Sequence, residues 1–186
     1  MEVEKTDMPH SLRTERLLLR PAILRDAKGL SAALGHEVLT RQTGTLPFPL
    51  TEDKMREKLR GMIARQGESE FGFVMMFCSE MIGHLGLGRR SSGDWDVAYA
   101  ITPAFWGRGL GTEAVQAVCR FGFQVLNLRA IQADVFHDNA ASMRILNKCG
   151  FRQSSGRAEA HCLTRGMNVP VVNFELVREG FLKDAA

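Results

Sequence analysis

The sequence predicts a mixed α/β domain: a mostly antiparallel central sheet of about seven strands with helices on both faces. Three observations carry that expectation. Segments with strand period and segments with helical spacing follow one another in the order strand, two helices, three strands in a meander, helix, strand, helix, two strands. Neither strict βαβ repetition nor a separate block of helices fits that order, whereas a mixed sheet covered on both faces does. The 186 residues, 45% hydrophobic and 24% charged, suit a single core with no low-complexity tract, internal repeat or dividing linker.

RLLLRPAI (16–23) is a short apolar run punctuated by Pro21 and reads as the first strand. LRDAKGLSAAL places Asp26 as a cap ahead of apolar residues at helical spacing. In TLPFPLTEDKMREKLRGMIARQ two prolines mark a loop, and Thr51 precedes a helix with Met55, Leu59, Met62 and Ile63 on one face; together they could form a lid. FGFVMMFC (71–78) and MIGHLGLGRR (81–90) read as a hairpin across Ser79 and Glu80, a pair poorly suited to a two-residue turn. After the turn SSGD, WDVAYAIT (95–102) sets Trp95, Val97, Tyr99 and Ile101 against a nearly bare face of Asp96, Ala98 and Ala100. TEAVQAVCRFGFQVLNL reads as a helix with Val115, Val118, Cys119, Gly122 and Leu126 at helical spacing, and RAIQADVF as a strand. NAASMRILNKCGF is a helix capped by Asn139 and closed by Gly150 in the left-handed conformation, before two last strands in FRQSSGRAEA and VPVVNFELV.

Composition narrows the function classes. The 24 Lys and Arg are scattered among 21 Asp and Glu, which argues against a nucleic-acid partner because duplex binding needs a basic face. Cys78, Cys119, Cys149 and Cys162 are isolated, without zinc spacing or a disulfide framework, so a reducing, cytoplasmic setting and no metal are expected. MEVEKTDMPH followed by RTER lacks the apolar centre of a signal peptide, and no apolar run approaches the roughly 18 residues that a membrane span needs.

FWGRGLGTEAVQAV (105–118) carries the chemistry. Gly107, Gly109 and Gly111 come straight after a strand and straight before an amphipathic helix, so free N–H groups, the helix's positive end and Arg108 converge where an anion could sit. The plainer alternative is a flexible bend after Pro103. A P-loop is excluded because no lysine follows the glycines. A dinucleotide G-x-G-x-x-G fails from Gly107, whose third slot is Thr112, and survives weakly from Gly109, whose third slot is Ala114.

W-G-R-G-L-G-T-E-A, with D-N-A-A-S-M-R-I-L-N-K-C-G-F about thirty residues on, resembles the acyl-CoA-binding core of the GNAT N-acetyltransferases, and within them the RimJ/RimL-like ribosomal-protein N-terminal acetyltransferase branch. The likeness runs from RTERLLLRPA at 13 to NFELV near 177, which implies one GNAT domain over 13–180, terminal extensions at 1–12 and 181–186, and a parallel strand pair splayed apart. The family pattern Q/R-x-x-G-x-G/A maps onto Trp106 to Gly111, departing at Trp106 as is common in this branch. By resemblance the backbone amides of Arg108, Gly109, Leu110, Gly111 and Thr112 would hold the pyrophosphate of acetyl-CoA, and the pantetheine arm would lie along Ala100 and Ile101. Asn139 would contact its amides, with Ser142 facing the same way. The implied partners are acetyl-CoA and an amine acceptor such as a ribosomal or other protein N-terminus, and a homodimer is compatible with the resemblance.

Acyl transfer from a thioester to an amine needs a neutral amine, donors for the oxyanion and a proton for the departing thiolate. An α-amine titrates near 8 and lysine near 10.4, which favours a terminal amine. Backbone N–H groups of the splayed strand would serve the oxyanion. Many relatives carry an acidic tyrosine where this chain has Leu146; the resemblance assigns that role to Ser142, a poor acid by pKa that could instead relay or orient. Asp96 is the candidate base, with a water chain to solvent as the default, and His84 and His137 are the nearest histidines. Cys119 and Cys149 read as core rather than as acyl carriers. Three alternatives stay open: a non-catalytic acyl-CoA-binding module, an acetyltransferase for small amines such as polyamines or antibiotics, and a dinucleotide oxidoreductase.

Overall fold

The computed structural model describes residues 11–183, with side chains through Phe181. Strands β1 (Leu12–Arg13) and β2 (Leu17–Pro21) lead through a 3-10 turn at Leu24–Asp26 into helices α1 (Ala27–Leu34), α2 (Glu37–Thr40) and α3 (Glu52–Ala64). A meander follows of β3 (Glu70–Phe77), β4 (Glu80–Arg89) and β5 (Trp95–Ile101), then α4 (Leu110–Gln124), β6 (Ala130–Phe136) and α5 (Ala140–Lys148). The chain closes with β7 (Arg152–Ser154), β8 (Glu159–Cys162), β9 (Met167–Val177) and α6 (Arg178–Lys183). No helix among the described residues is long and apolar enough to cross a membrane.

The sheet order is β1-β2-β3-β4-β5-β6-β9-β7, with β8 paired to β9. Every described pairing is antiparallel except β5 with β6, and that parallel pair touches at one position, Asp96 opposite Gln132. Beyond it the two strands diverge, so the expected splay is present. One core lies between the sheet and α4, α5 and α6, where Phe71, Phe73, Phe121 and Phe174 are buried. The second lies on the opposite face against α1 and α3, around Leu30, Met55, Leu59 and Met62. Helices thus cover both faces, and the face of α3 that spacing marks as apolar is the buried one.

The sheet has nine strands rather than the expected seven. β1 adds one. FRQSSGRAEA, expected to be a single strand, divides into β7 and β8 because its middle leaves the ladder: Asn173 Nδ2 donates to Arg157 O at 2.9 Å, and a Cβ on Gly156 would meet Asn173 Oδ1 at 2.3 Å. β9 is long enough at 11 residues to pair with β8 at one end and with β6 and β7 at the other. The hairpin turn between β3 and β4 also falls one residue earlier than expected, on Cys78 and Ser79, whose φ of 47° and 66° supply the paired left-handed conformations of a tight turn. At the chain end, the boundary expected at 180 falls inside α6, and Phe181 packs 5.3 Å from Phe123.

Helix caps follow the sequence in two of three cases. Thr51 accepts from Lys54 N, and Asn139 Oδ1 accepts from Ser142 N at 3.0 Å. Gly150, at φ 86°, closes α5 as expected. Asp26 does not cap α1. Its carboxylate accepts from Arg20 Nη1 at 2.8 Å, Arg20 Nη2 at 2.6 Å and Ile23 N at 2.9 Å, because β2 delivers a guanidinium fork to a side chain that is only 6% exposed. Removing one member of such a pair strands the other charge in the core. Arg20→Met is therefore expected to lower unfolding free energy by about 3 kcal/mol, read from the urea midpoint; a loss below about 1 kcal/mol would show that water still reaches Asp26.

Candidate active site

A 3-10 turn at Pro103–Phe105 carries the chain off β5, and Trp106 Nε1 returns to Ile101 O at 2.7 Å. That bond ties the glycine stretch to the strand end and explains a tryptophan at this position. Gly107 and Gly109 then adopt φ of 75° and 78°, conformations that cost other residues strain. Gly109 is the N-cap of α4 and offers no side chain to its first amides. The first turn begins with Glu113 N bonding to Gly109 O at 3.1 Å, and the amides of 107–112 meet no acceptor among the described residues. Gly111 answers to packing: a Cβ there would meet Ile145 Cδ1 at 2.8 Å and Ile101 Cδ1 at 3.2 Å.

Arg16, which sequence reasoning missed, stands beside this turn. Its Nη1 donates to Arg108 O at 3.0 Å and its Nε to Glu113 Oε2 at 2.7 Å. Glu113 also accepts from Thr14 Oγ1 and from Arg16 N. Burial pushes the Glu113 carboxyl up, but those donors outweigh it and hold it below its ordinary value. No local pattern links residues nearly a hundred positions apart. The Arg108 guanidinium lies over the rings of Phe77 and Phe105 at 4.9 and 5.1 Å, so aromatic packing engages the side chain while the backbone stays in the turn.

A cleft of about 900 Å³ runs from this turn, through the splay, to α3. Asp96, Ala100, Ile101, Gly109, Leu110, Gly111, Thr112, Asn139 and Ser142 line it; of the residues expected at the site, Arg108 does not. Thr102 N donates to Ile82 O at 2.8 Å, so by antiparallel alternation Ala100 and Ala98 bond toward β4, whereas Val97, Tyr99 and Ile101 turn their N–H and C=O toward the splay. Ile101 O is taken by Trp106, which leaves Ile101 N–H and both groups of Tyr99 facing the opening.

The chain's only tyrosine joins the site from β5. Tyr99 Oη lies 2.7 Å from Ser142 Oγ, so strand and helix α5 meet through two hydroxyls at the cleft wall. Burial raises the phenol's pKa, and the bond to Ser142 only partly opposes that. Tyr99 is therefore a neutral phenol and not a ready acid, and either hydroxyl of the pair can be the donor. Where relatives carry a tyrosine, Leu146 is fully buried.

Asp96 sits at the closed end of the splay. Its carboxyl is 3.8 Å from Arg90, which also reaches Asp134 at 3.0 Å, while Arg157 reaches Asp134 at 2.6 Å. Burial raises the Asp96 pKa, against the pull of Arg90 and with the push of Asp134. Four residues, about 13 Å of strand, separate it from Ala100. His84 faces Ala100 across the ladder and lines the cleft, its Nε2 3.1 Å from Met62 Sδ. His137 is exposed. Cys119 and Cys149 are buried, and burial lifts both thiols, Cys149 to about 12, so neither offers a thiolate.

An open mixed sheet with one splayed parallel pair, beside a helix N-terminus stripped of side-chain caps, defines an N-acetyltransferase fold. The acetyltransferase (GNAT) domain family matches residues 16–152, and the chain belongs to it. It is 27% identical over 175 residues to the uncharacterized N-acetyltransferase p20 of Bacillus licheniformis, covering 92% of this chain and 98% of that one. It is 30% identical over 150 residues to the uncharacterized N-acetyltransferase YoaA of Bacillus subtilis, covering 76% and 82%. Among solved structures, Mycobacterium smegmatis RimJ in complex with CoA-disulfide superposes with a TM-score of 0.77 at 20% identity, over 91% of this chain and 86% of that one.

Burial, with a smaller contribution from Lys58, lowers the His84 pKa from 6.5 to about 4. The folded state keeps His84 neutral where the unfolded chain takes up a proton, so stability is complete above about pH 6.5 and declines as pH falls toward about 4. Chemical denaturation across that window should show the decline, flattened in His84→Gln; an unchanged slope would place the histidine in contact with bulk water.

Proposed function

We propose that this acetyltransferase moves an acetyl group from acetyl-CoA to the α-amine of a protein or peptide N-terminus, by direct attack in a ternary complex. The single-position contact between β5 and β6 carries the reading, since it opens a slot lined by unpaired backbone groups directly beside the bare amides of α4. The cradle fits the donor: the amides of Arg108, Gly109, Leu110, Gly111 and Thr112 would take the pyrophosphate, with Arg16, paired to Glu113, bracing the turn. Ile101 N–H and Tyr99 C=O would pair with the pantetheine arm, Ala100 would form the wall, and Asn139, whose Oδ1 is occupied by Ser142 N, would use its Nδ2.

When bound, acetyl-CoA supplies the thioester carbonyl that the amine attacks. The C–N bond forms as the C–S bond breaks; the amine's proton leaves through water and the thiolate gains one. Tyr99 N–H would hold the oxyanion, which leaves Ile101 N–H and Tyr99 C=O to the pantetheine arm. Ser142 Oγ would give the thiolate its proton; either hydroxyl of the pair can be the donor, and with Tyr99 Oη donating the serine hydrogen is free to point into the cleft. Asp96, with a raised pKa on the opposite face of β5, would accept the amine's proton through water. The absence of an acid tyrosine at Leu146 does not favour an inactive module, because this hydroxyl pair occupies the corresponding side of the cleft. The resemblance of the 105–151 motif pair to the RimJ/RimL-like branch and the lower pKa of an α-amine both support an N-terminal acceptor.

Mixing the protein with acetyl-CoA and peptides should release free thiol with unblocked N-termini and not with N-terminally blocked, lysine-containing peptides. Turnover on lysine side chains alone would overturn the N-terminal assignment, and turnover on polyamines alone would move the acceptor to small molecules. Tyr99→Phe is expected to lower kcat about tenfold to a hundredfold with little change in the KM for acetyl-CoA, and Ser142→Ala to remove the effect of the tyrosine substitution. Additive losses in the double variant would separate the two hydroxyls.

A further inference from the structure

The acceptor half of the cleft holds a lysine whose charge has no matching anion. Lys58 and Met62 are one turn apart on α3 and share a face. Met62 Sδ touches His84 Nε2 at 3.1 Å, and the Lys58 charge is felt at His84, so the ammonium stands close to the part of β4 that faces Ala100. Lys58 lines the cleft and its Nζ donates to Thr45 Oγ1 at 3.1 Å, a neutral partner that uses one of three donors. Neighbouring carboxylates are already engaged: Glu70 with Arg65 at 2.6 Å, Asp134 with Arg157 at 2.6 Å, and Asp96 with Arg90 at 3.8 Å. Among the described residues no carboxylate lies within ion-pair distance of Lys58. Burial lowers its pKa, with Glu70 opposing and Arg65 adding to the effect.

A second group lining the cleft lacks a partner. Gln42, in the connection between α2 and α3, lines the cleft, and its Oε1 is buried with no hydrogen bond among the described residues. The connection is held in place from the β8–β9 turn, where Arg165 Nε donates to Arg41 O at 2.8 Å and Thr164 Oγ1 to Leu46 O at 3.0 Å. An ammonium in want of an anion and an amide oxygen in want of an N–H therefore both line the cleft, on a helix and a loop that the Lys58–Thr45 bond joins.

We propose that Lys58 and Gln42 form a subsite for an acidic group of the acceptor, so that favoured acceptors carry a carboxylate within a residue or two of the reacting amine. The inference rests on the acetyl-transfer reading and supplies its substrate class. In a peptide, the carboxylate of an Asp or Glu following the N-terminal residue would take the free donors of Lys58, and a nearby amide N–H would donate to Gln42 Oε1. A free amino acid presents the same pair of groups on a shorter frame.

The test compares kcat/KM by thiol release for peptide pairs that differ only by Asp against Asn, or Glu against Gln, at the second and third residues, and for free amino acids against their amides. The acidic member should be preferred at least about tenfold, as expected for a charged hydrogen bond in a sheltered site. The preference belongs to peptides or to free amino acids according to which pair shows it. Lys58→Met should bring the ratio near one, mainly through KM, and Lys58→Arg should keep most of it. Equal use of acidic and amide acceptors by the native protein would overturn the subsite, as would a Lys58→Met variant that loses both equally while Lys58→Arg does the same. If Lys58→Met fails to fold, the native comparison and Lys58→Arg decide. No thiol release with any amine would overturn acetyl transfer itself, a different result from indifference to charge.

Discussion

β5 and β6 run parallel and touch only where Asp96 meets Gln132. A backbone edge in a sheet interior needs partners, because buried N–H and C=O groups left unpaired each carry a substantial free-energy cost. Here β4 satisfies one edge of β5 while the other opens onto the cleft, and the sheet survives because β6 completes its own ladder with β9 over seven residue pairs. The opening is therefore stable without closing, which is what a slot for an extended ligand arm requires.

The elements around the opening are arranged to keep it usable. The bare amides at the start of α4 face it because Gly109 bends the chain in a left-handed conformation and Gly111 lets Ile145 of α5 approach closely. Arg16 and Glu113 clamp the β1–β2 connection onto that turn, so the first strands of the fold brace a loop far away in sequence. On the other side α5 begins at Asn139, whose cap bond fixes Ser142 where it meets Tyr99. One asparagine oxygen thus orders the helix and places the hydroxyl pair.

The two faces of the sheet divide the work. Tyr99 and Ile101 lean toward the core with α4 and α5, where a donor would sit, while Asp96, Ala98 and Ala100 turn toward α1 and α3, where an acceptor would enter. Near the cleft Arg65, Arg90 and Arg157 each meet a carboxylate, whereas Lys58 meets the neutral Thr45.

Periodicity and turn chemistry in the sequence determined the order of the main elements, the apolar face of α3, the caps at Thr51 and Asn139, and the glycines of the α4 turn, because each depends on residues within a few positions of one another. The motif pair at 105–151 likewise made the family legible. Tertiary structure decided what depends on distant partners: Asp26 turned from a helix cap to the partner of Arg20, one expected strand was divided by Asn173, and Tyr99 was brought to Ser142. Arg16 at the cradle and Lys58 beside His84 were equally invisible, since a side chain's charge can be read from sequence but the partners it meets, or lacks, are set only when the sheet brings separate segments together.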